Sequence, residues 1–269
     1  MSVGPVAAAL RARPRGPQPL PWRLVWQPIT ASTEADLDRL LERGLRPPLA
    51  VIARRQTRGH GQQGRRWHSP AGGLWLSAAI PWAVSAPAIA AQGIAAQAIA
   101  APALAVSLGL CLQLEGLGLQ PRIKWPNDLL LEGRKLAGVL PRLRWRGSTL
   151  LGCRVGIGIN GLNRVPPGAI ALAEALQSGP GRHRHGHAQR PHHPQARPER
   201  LAALALGALE WAVAASGQAE LVRRQAEQRL WRVGSHWHAG RAWQVDGLAL
   251  DGALRLRCEE TLVELRRDF

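Results

Sequence analysis

Apolar and polar positions along the 269-residue chain alternate in ways that separate strands from helices. Strands are predicted in three apolar runs, "WRLVWQPIT", "PLAVIARRQT" and "GGLWLSAAIPW". Between the first two, "STEADLDRLLERG" has the capping residue, acidic first turn and final glycine of a helix. Residues 87–115 repeat apolar positions every three or four residues, which predicts an Ala-rich helix that Pro102 should kink.

The second half of the chain continues this mixture of strands and helices. A hairpin is predicted in "PRIKWPNDLLLEGRKLAGVLPRLRW", and a glycine-rich strand in "TLLGCRVGIGINGL", where some group must approach the backbone closely. A helix is predicted in "PERLAALALGALEWAVAASG". The tail then alternates and turns every eight to ten residues, as in a small β-barrel of roughly 40 residues. The pattern therefore predicts an α+β fold.

Changes in composition suggest the domain organisation. We expect residues 1–20, rich in Pro and Arg, to be disordered, residues 21–224 to form the main domain and residues 225–269 to form the barrel. Histidines alternate with Arg, Gly and Pro across residues 178–198. A metal site needs a rigid scaffold that this stretch does not provide, so a flexible insertion is the favoured interpretation, with metal binding as the alternative.

The formal charge of +17 changes the range of possible partners. It suggests nucleic-acid binding, but the basic residues are spread along the chain and almost all are arginines, which is typical of a biased composition. An acidic protein would be attracted by the same charge. The three cysteines include no Cys-x-x-Cys pair, so neither disulfides nor a zinc site is indicated, and a cytoplasmic location is predicted. No signal peptide or membrane span is predicted.

A loop rich in glycine and arginine, "RQTRGHGQQGRRWHS", is the first candidate site. Gly59, Gly61 and Gly64 can expose backbone N–H groups to an anion, and Arg65 and Arg66 add positive charge. The P-loop spacing is absent, and a turn and strand follow where a dinucleotide fingerprint needs a helix. Alone, the loop indicates either an anion site or an ordinary surface turn.

The second candidate is "KWPND", in which Pro126 and Trp125 stiffen the backbone beside Lys124. Asn127 and Asp128 can close the turn through bonds to the backbone. The chain has only two lysines, so Lys124 suggests a position that needs a compact ammonium group. The same argument applies more weakly to Lys135, and a solvated surface lysine is the alternative.

Three segments in order, "QTRGHGQQGRRWHSPAGGLWLS", "KWPNDLLLEGRKLAGVL" and "VGIGIN", closely resemble the biotin–protein ligases. The resemblance runs from about residue 22 to residue 269. It implies a mixed sheet flanked by helices, akin to class II aminoacyl-tRNA synthetases, followed by a small SH3-like β-barrel. It also implies a ligase that forms C–N bonds: biotin and MgATP give biotinyl-5′-AMP, and biotin passes to a lysine of a biotin carboxyl carrier protein. A monomer or a homodimer is expected.

The resemblance also implies roles for individual residues. Lys124 and Arg65 match catalytic positions. The residues matching biotin-binding positions are Ser32, Thr33, Gln56, Gly59, His60, Gly61, Gln62 and Lys124. The residues matching ATP- or adenylate-binding positions are Gly64, Arg65, Trp67, Asn127 and Asn160, and no protein side chain is assigned to Mg²⁺.

The chain departs from the family pattern at three of these positions or their neighbours. Glu34 stands where the family has Asn, and His60 and Gln62 replace two arginines of the loop. Loss of the charge at Gln62 is expected to weaken retention of the adenylate unless a neighbouring arginine compensates. Two alternatives stay open: a lipoate or octanoyl ligase of the same fold, and a basic nucleic-acid-binding protein. We expect no nucleic-acid or membrane partner.

Overall fold

A seven-stranded mixed sheet forms the centre of the part of the chain that the computed structural model describes, residues 3–12, 19–82, 94–147, 149–177 and 193–266. The helices are α1 (Val3–Ala12), α2 (Thr33–Glu42), α3 (Ile94–Glu115), α4 (Leu172–Gln177), α5 (Pro198–Ala214) and α6 (Ala219–Gln228). The strands are β1 (Arg23–Gln27), β2 (Leu49–Ala53), β3 (Leu74–Ile80), β4 (Arg122–Lys124), β5 (Asp128–Leu131), β6 (Arg134–Arg146), β7 (Thr149–Ile159), β8 (His236–His238), β9 (Arg241–Leu248), β10 (Leu254–Cys258) and β11 (Thr261–Leu265). The predicted α+β class is confirmed.

The large sheet has the strand order β1-β2-β3-β7-β6-β5-β4. β1 and β2 run parallel because α2 connects them, whereas the other neighbouring strands are antiparallel. The register places Trp75 of β3 and Gly138 of β6 on either side of Gly158 in β7. Because directly opposed residues point to the same face, these three positions share one face of the sheet.

The two faces of the sheet are covered differently. On one face, alternate residues such as Leu76, Ile157 and Val139 belong to the main hydrophobic core, which also contains buried residues of α3 and α5. On the other face, α2 packs Leu37 against Leu49 and neighbouring residues of β2 and β3. The remaining part of that face carries glycines and polar side chains, and this part forms the cavity described below.

Helix α3 lies close to α5 at one small residue. A Cβ at Gly109 would come within 2.6 Å of the backbone oxygen of Ala208, so the glycine permits this approach. The helix includes Pro102, where a kink was predicted, and its buried side chains continue to Leu114. Residues 83–93, which include the first seven residues of the predicted helical stretch 87–115, lie outside the described residues. None of the described helices is long and apolar enough to span a membrane.

The N-terminal segment differs from the expectation of disorder over residues 1–20. Helix α1 buries Val6 and Ala9 and contacts α5, while residues 13–18 lie outside the described residues. The buried Glu210 of α5 accepts hydrogen bonds from Leu20 N at 3.2 Å and Trp22 Nε1 at 2.9 Å. The Pro/Arg content of the segment concealed a short apolar face that α5 can cover.

The stretch predicted as a flexible insertion, residues 178–198, is described only at its end. Residues 178–192 lie outside the described residues, so flexibility and metal binding stay predictions for them. Pro194–Ala196 form a 3₁₀ turn with Ala196 fully buried, and Pro198 begins α5. Residues 193–198 are therefore part of the folded structure.

A separate four-stranded antiparallel sheet follows α6, with the order β11-β10-β9-β8. The boundary proposed between residues 224 and 225 falls inside α6, and the second sheet begins only at His236. The linker joins the large sheet, because Ile123 N donates to Arg229 O and Trp231 N donates to Ile123 O, each at 2.8 Å. The Trp125 indole also donates to the carbonyl of Gly252 at 2.9 Å. These bonds attach the small sheet to the "KWPND" turn.

Candidate functional site

A cavity of about 760 Å³ lies between the glycine-bearing face of the large sheet, the Gly/Arg loop and residues 231–237. It collects most of the side chains that the sequence singled out. The predicted residues that line it are Ser32, Thr33, Gln56, His60, Gly61, Gln62, Arg65, Trp67, Lys124, Asn127 and Asn160. The structure therefore brings residues from four separate segments to one place.

Two glycines make the floor of this cavity. The Trp67 indole lies over Gly138 and Gly158, because a Cβ at Gly158 would meet its Nε1 at 2.6 Å and one at Gly138 would meet its Cη2 at 2.9 Å. Any side chain at either position would push the indole away. The close approach predicted for the glycine-rich strand is thus made by a tryptophan of the same chain.

A lysine and a carboxylate meet beside this indole. Lys135 Nζ lies 4.7 Å from the centre of the Trp67 ring and 2.6 Å from an oxygen of Asp128. Asp128 faces the cavity because it is paired with Gly138 in the sheet. Both residues line the cavity and are about one-quarter to one-third exposed. Asp128 had no predicted role beyond closing a turn, and Lys135 was the weaker of two lysine candidates.

Polar side chains at the other end of the cavity form a continuous network. Gln56 Oε1 accepts from Thr33 N at 2.8 Å and from Thr33 Oγ1 at 3.0 Å, while Gln56 Nε2 donates to Ser69 at 2.9 Å. The Thr33 and Ser77 hydroxyls lie 2.8 Å apart. Thr33, Ser69 and Ser77 are buried, so the network fixes Thr33 and Gln56 in single positions. Ser77 also lines the cavity. It was not predicted as a site residue, although its position as a polar residue that alternates with the core residues of β3 was a signal.

The Gly/Arg loop is a short hairpin above the cavity. Gly61 N donates to Arg65 O at 2.7 Å, and Trp67 N donates to Gly59 O at 2.9 Å. Gly59 and Gly64 do not line the cavity in this structure. A Cβ at Gly59 would lie 2.7 Å from Ser69 Oγ, and Gly64 supplies the positive φ of 70° at the exposed tip.

The amide side chains of Asn127 and Asn160 bond to the protein itself. Asn127 Nδ2 donates to Val139 O at 2.7 Å, and Asn160 Nδ2 donates to Lys135 O at 3.4 Å. Both residues are buried at the cavity wall, so these bonds hold the wall in shape. Lys124 also lines the cavity, with an exposed side chain at the end of β4.

Glu34, the departure noted after the Ser-Thr pair, is also at the cavity wall. Its carboxylate lies 3.2 Å from Arg142 Nε, so the negative charge is paired. One turn further along α2, Asp38 pairs with Arg154 of β7 in the same way. These ion pairs join α2 to the face of the sheet that α2 covers.

The small sheet and its linker supply a wall that the sequence did not predict. Trp231, Val233, His236 and Trp237 all line the cavity. They lie more than 100 residues after Lys124, and no local pattern connects them to it. No cluster of three or more His, Cys, Asp or Glu side chains suited to a metal ion occurs among the residues that the structure describes.

The cavity thus combines a glycine floor, a basic loop and a paired lysine, an arrangement suited to small anionic molecules. The chain belongs to the biotin/lipoate A/B protein ligase family, whose model matches residues 26–160. This membership confirms the resemblance noted from the motifs.

Individual relatives agree with the family match. The chain is 33% identical over 144 residues to the bifunctional ligase/repressor BirA of Bacillus subtilis, covering 53% of this chain and 41% of that protein. It is 36% identical over 141 residues to the biotin–[acetyl-CoA-carboxylase] ligase of Paracoccus denitrificans, covering 52% of this chain and 55% of that protein. The chain thus spans about half the length of these curated relatives.

Solved structures establish the fold over nearly the whole chain. A biotin protein ligase from Aquifex aeolicus, solved in complex with biotin and ATP, superposes with a TM-score of 0.65 at 24% identity. The superposition covers 90% of this chain and 95% of that one. The large mixed sheet with its flanking helices and the separate small sheet therefore form the fold of a biotin protein ligase.

Proposed function

We propose that this protein is an ATP-dependent biotin–protein ligase, which forms biotinyl-5′-AMP and transfers biotin to a lysine of a biotin carboxyl carrier protein. One observation carries the proposal. Apart from Gly59 and Gly64, the residues that match the biotin and adenylate positions of the family line a single cavity, although they come from four separate segments of the chain. The biotin–[acetyl-CoA-carboxylase] ligase among the relatives supports biotin as the substrate.

In the first step, a carboxylate oxygen of biotin attacks the α-phosphorus of ATP, the bond to the β-phosphate breaks and pyrophosphate leaves. Two anions must approach each other, so positive groups have to offset their repulsion. Arg65, Lys124 and Lys135 line the cavity and can supply this charge. We retain the catalytic roles of Arg65 and Lys124 and add Lys135, whose ammonium is already held by Asp128 and Trp67.

The biotin end of the cavity is proposed to lie at the network around Thr33. Gln56 uses its Oε1 and Nε2 to hold Thr33 and Ser69, so its first role is to position them. Ser32 and Thr33 are buried and line the cavity, where their polar groups can bond a ureido ring. Loop residues 60–62 close this end from above.

Magnesium is proposed to arrive with ATP. The donor set fits this, because Mg²⁺ is commonly bound by one or two carboxylates together with substrate phosphates, and Asp128 presents a carboxylate in the cavity. The ion would neutralise phosphate charge. Asp128, whose carboxylate contacts the Lys135 ammonium in this structure, would hold the ion.

In the second step, the amine of the acceptor lysine attacks the acyl carbon of the mixed anhydride and AMP leaves, while the amine gives up a proton. The anhydride reacts with water, so the loop must exclude solvent until the acceptor arrives. His60 and Gln62 replace two arginines of this loop. We propose that the exposed Arg65 compensates for part of the lost charge.

Finer features of the resemblance complete the proposal. We propose that the four-stranded sheet is the SH3-like barrel, that the large sheet is of the class II synthetase type, and that the protein acts in the cytoplasm as a monomer or homodimer. Three free cysteines are consistent with a reducing compartment. We propose no nucleic-acid partner, and a sequence-selective DNA complex in a gel shift would contradict this.

The test is incubation with biotin, MgATP and a carrier domain, followed by mass spectrometry of the carrier. We expect one biotinyl group on one lysine, and none when ATP is omitted or the acceptor lysine is replaced by arginine. Parallel reactions contain lipoate or octanoate with their own carrier domain. Modification with lipoate or octanoate but not with biotin would refute the proposal in favour of the other branch of the family.

A further inference from the structure

Two apolar side chains stand exposed at the rim of the cavity. Trp237 in β8 is 73% exposed and Val233 in the preceding linker is 71% exposed, yet both line the cavity. Single exposed apolar residues are ordinary, but a largely exposed tryptophan beside a second apolar residue is typical of an interaction site. We call Trp237 and Val233 the apolar rim.

Positive charge without an ionic partner surrounds the same opening. The side chains of Arg65, Arg66 and Lys124 are exposed, line the cavity and form no ion pair within the described part of the chain. The carboxylates of the wall, Glu34 and Asp128, are each paired with a cation. The opening therefore presents an apolar patch beside unneutralised positive charge.

We propose that the apolar rim, together with Arg66, is the docking surface for the acceptor protein in the second step. This inference rests on the proposed ligase function. Its occupant is a folded domain that places an apolar side chain and acidic side chains next to its acceptor lysine. Buried aromatic anchors carry much of the affinity of an interface, whereas complementary charges mainly raise the association rate.

The net charge of the chain argues against a second copy of this chain as the occupant of the apolar rim. The chain carries a formal charge of +17, so a second copy would bring like charge to an opening that is already positive. An acidic acceptor is attracted by the same field. The position of the rim agrees with this, because an acceptor lysine has to pass it to reach the acyl carbon inside the cavity.

The main experiment compares Trp237→Ala and the double variant Val233→Ala/Trp237→Ala with the unaltered protein. Three rates are measured: biotin-dependent ATP–pyrophosphate exchange, transfer of biotin to hydroxylamine, and transfer to the carrier domain. We expect the KM for the carrier to rise at least about tenfold, as for loss of a central aromatic anchor. Exchange and transfer to hydroxylamine should stay within about twofold, since neither needs the anchor.

Leu262→Ala is the matched control, because Leu262 is 45% exposed on β11 of the same sheet and does not line the cavity. It should leave the KM for the carrier unchanged. Arg66→Gln tests the charge: kcat/KM for the carrier should fall a few-fold at low salt, with the difference shrinking at high salt.

The proposal is overturned if the KM for the carrier is unchanged in Trp237→Ala. It is also overturned if the KM for ATP in the exchange reaction rises instead, which would make Trp237 part of the nucleotide site. A shift in the sedimentation coefficient without a change in the KM for the carrier would assign the rim to a second copy. Failure of the ligase proposal looks different, because the unaltered protein would then show no biotin-dependent exchange.

Discussion

The glycine floor can be tested by giving it one methyl group, in the variant Gly158→Ala. The added Cβ would lie 2.6, 2.7 and 2.8 Å from three atoms of the Trp67 indole. The indole has little room to slide along the sheet, because a Cβ at Gly138 would already meet its far edge at 2.9 Å, and Lys135 Nζ lies 4.7 Å from the ring centre. The ring must therefore lift away from the sheet and into the cavity.

The distances set the size of the effect. Carbon atoms pack best at roughly 3.5–4.0 Å, so the indole has to move by about 1 Å. Overpacking of this kind costs about 1–3 kcal/mol of folding stability. A displacement of about 1 Å at a site of chemistry can lower a rate by about 100-fold. We expect both a less stable protein and a slower first step.

The assay pairs urea unfolding with biotin-dependent ATP–pyrophosphate exchange. Gly156→Ala is the matched control for stability, because it lies two residues earlier on the same face of β7 and its Cβ would meet neighbours only at 3.6 Å or more. Alanine there should leave the free energy of unfolding unchanged or raise it by about 0.4–1 kcal/mol, since the unfolded chain loses freedom.

Two results would refute this reasoning. If Gly158→Ala were as stable as Gly156→Ala, the contact between the indole and the floor would not exist in solution. If Gly158→Ala were destabilised but exchanged pyrophosphate at the normal rate, the indole would be a packing element without influence on the first step.

Two further predictions concern the lysines and the cysteines. Lys135→Ala and Lys124→Ala should each lower kcat for pyrophosphate exchange about 100-fold by removing a charge that stabilises the transition state, while circular dichroism shows an intact fold. A lysine whose variant keeps full exchange has no part in the first step. Burial raises the pKa of the Cys111 and Cys153 thiols to about 12, whereas Cys258 is only partly buried. Native protein at pH 8 should therefore release one equivalent of thionitrobenzoate from Ellman's reagent and unfolded protein three, and a native value above one would show that the buried thiols are accessible.

Alternation of apolar residues was enough to predict the strands that carry the site. In "RVGIGIN", the core needs Val155 and Ile157, so Gly156 and Gly158 must face the other way. The identity of the group above the glycines could not be predicted. Trp67 is about 90 residues earlier in the chain, and only the folded register of β3, β7 and β6 brings it to the floor.

The contact between Lys135 and Asp128 was missed because strict alternation fails in this hairpin. The pairing register of β5 and β6 shifts between Leu129 and Leu130, and a strict two-residue alternation does not predict such a shift. Helix α1 was missed for a different reason. Its few apolar residues are buried because they pack on α5. The composition of residues 1–20 gives no information on this packing partner, which lies about 190 residues later in the chain.

The bond from the Trp125 indole to the carbonyl of Gly252 has a consequence for how the protein folds during synthesis. A ribosome has synthesised the whole large sheet before residue 252 exists, so during synthesis the "KWPND" turn stands without its acceptor and without the pairing of Ile123 to residues 229–231. The nascent chain can thus be compact well before its site is set. The "KWPND" turn can therefore gain its full set of bonds only after residue 252 has been synthesised.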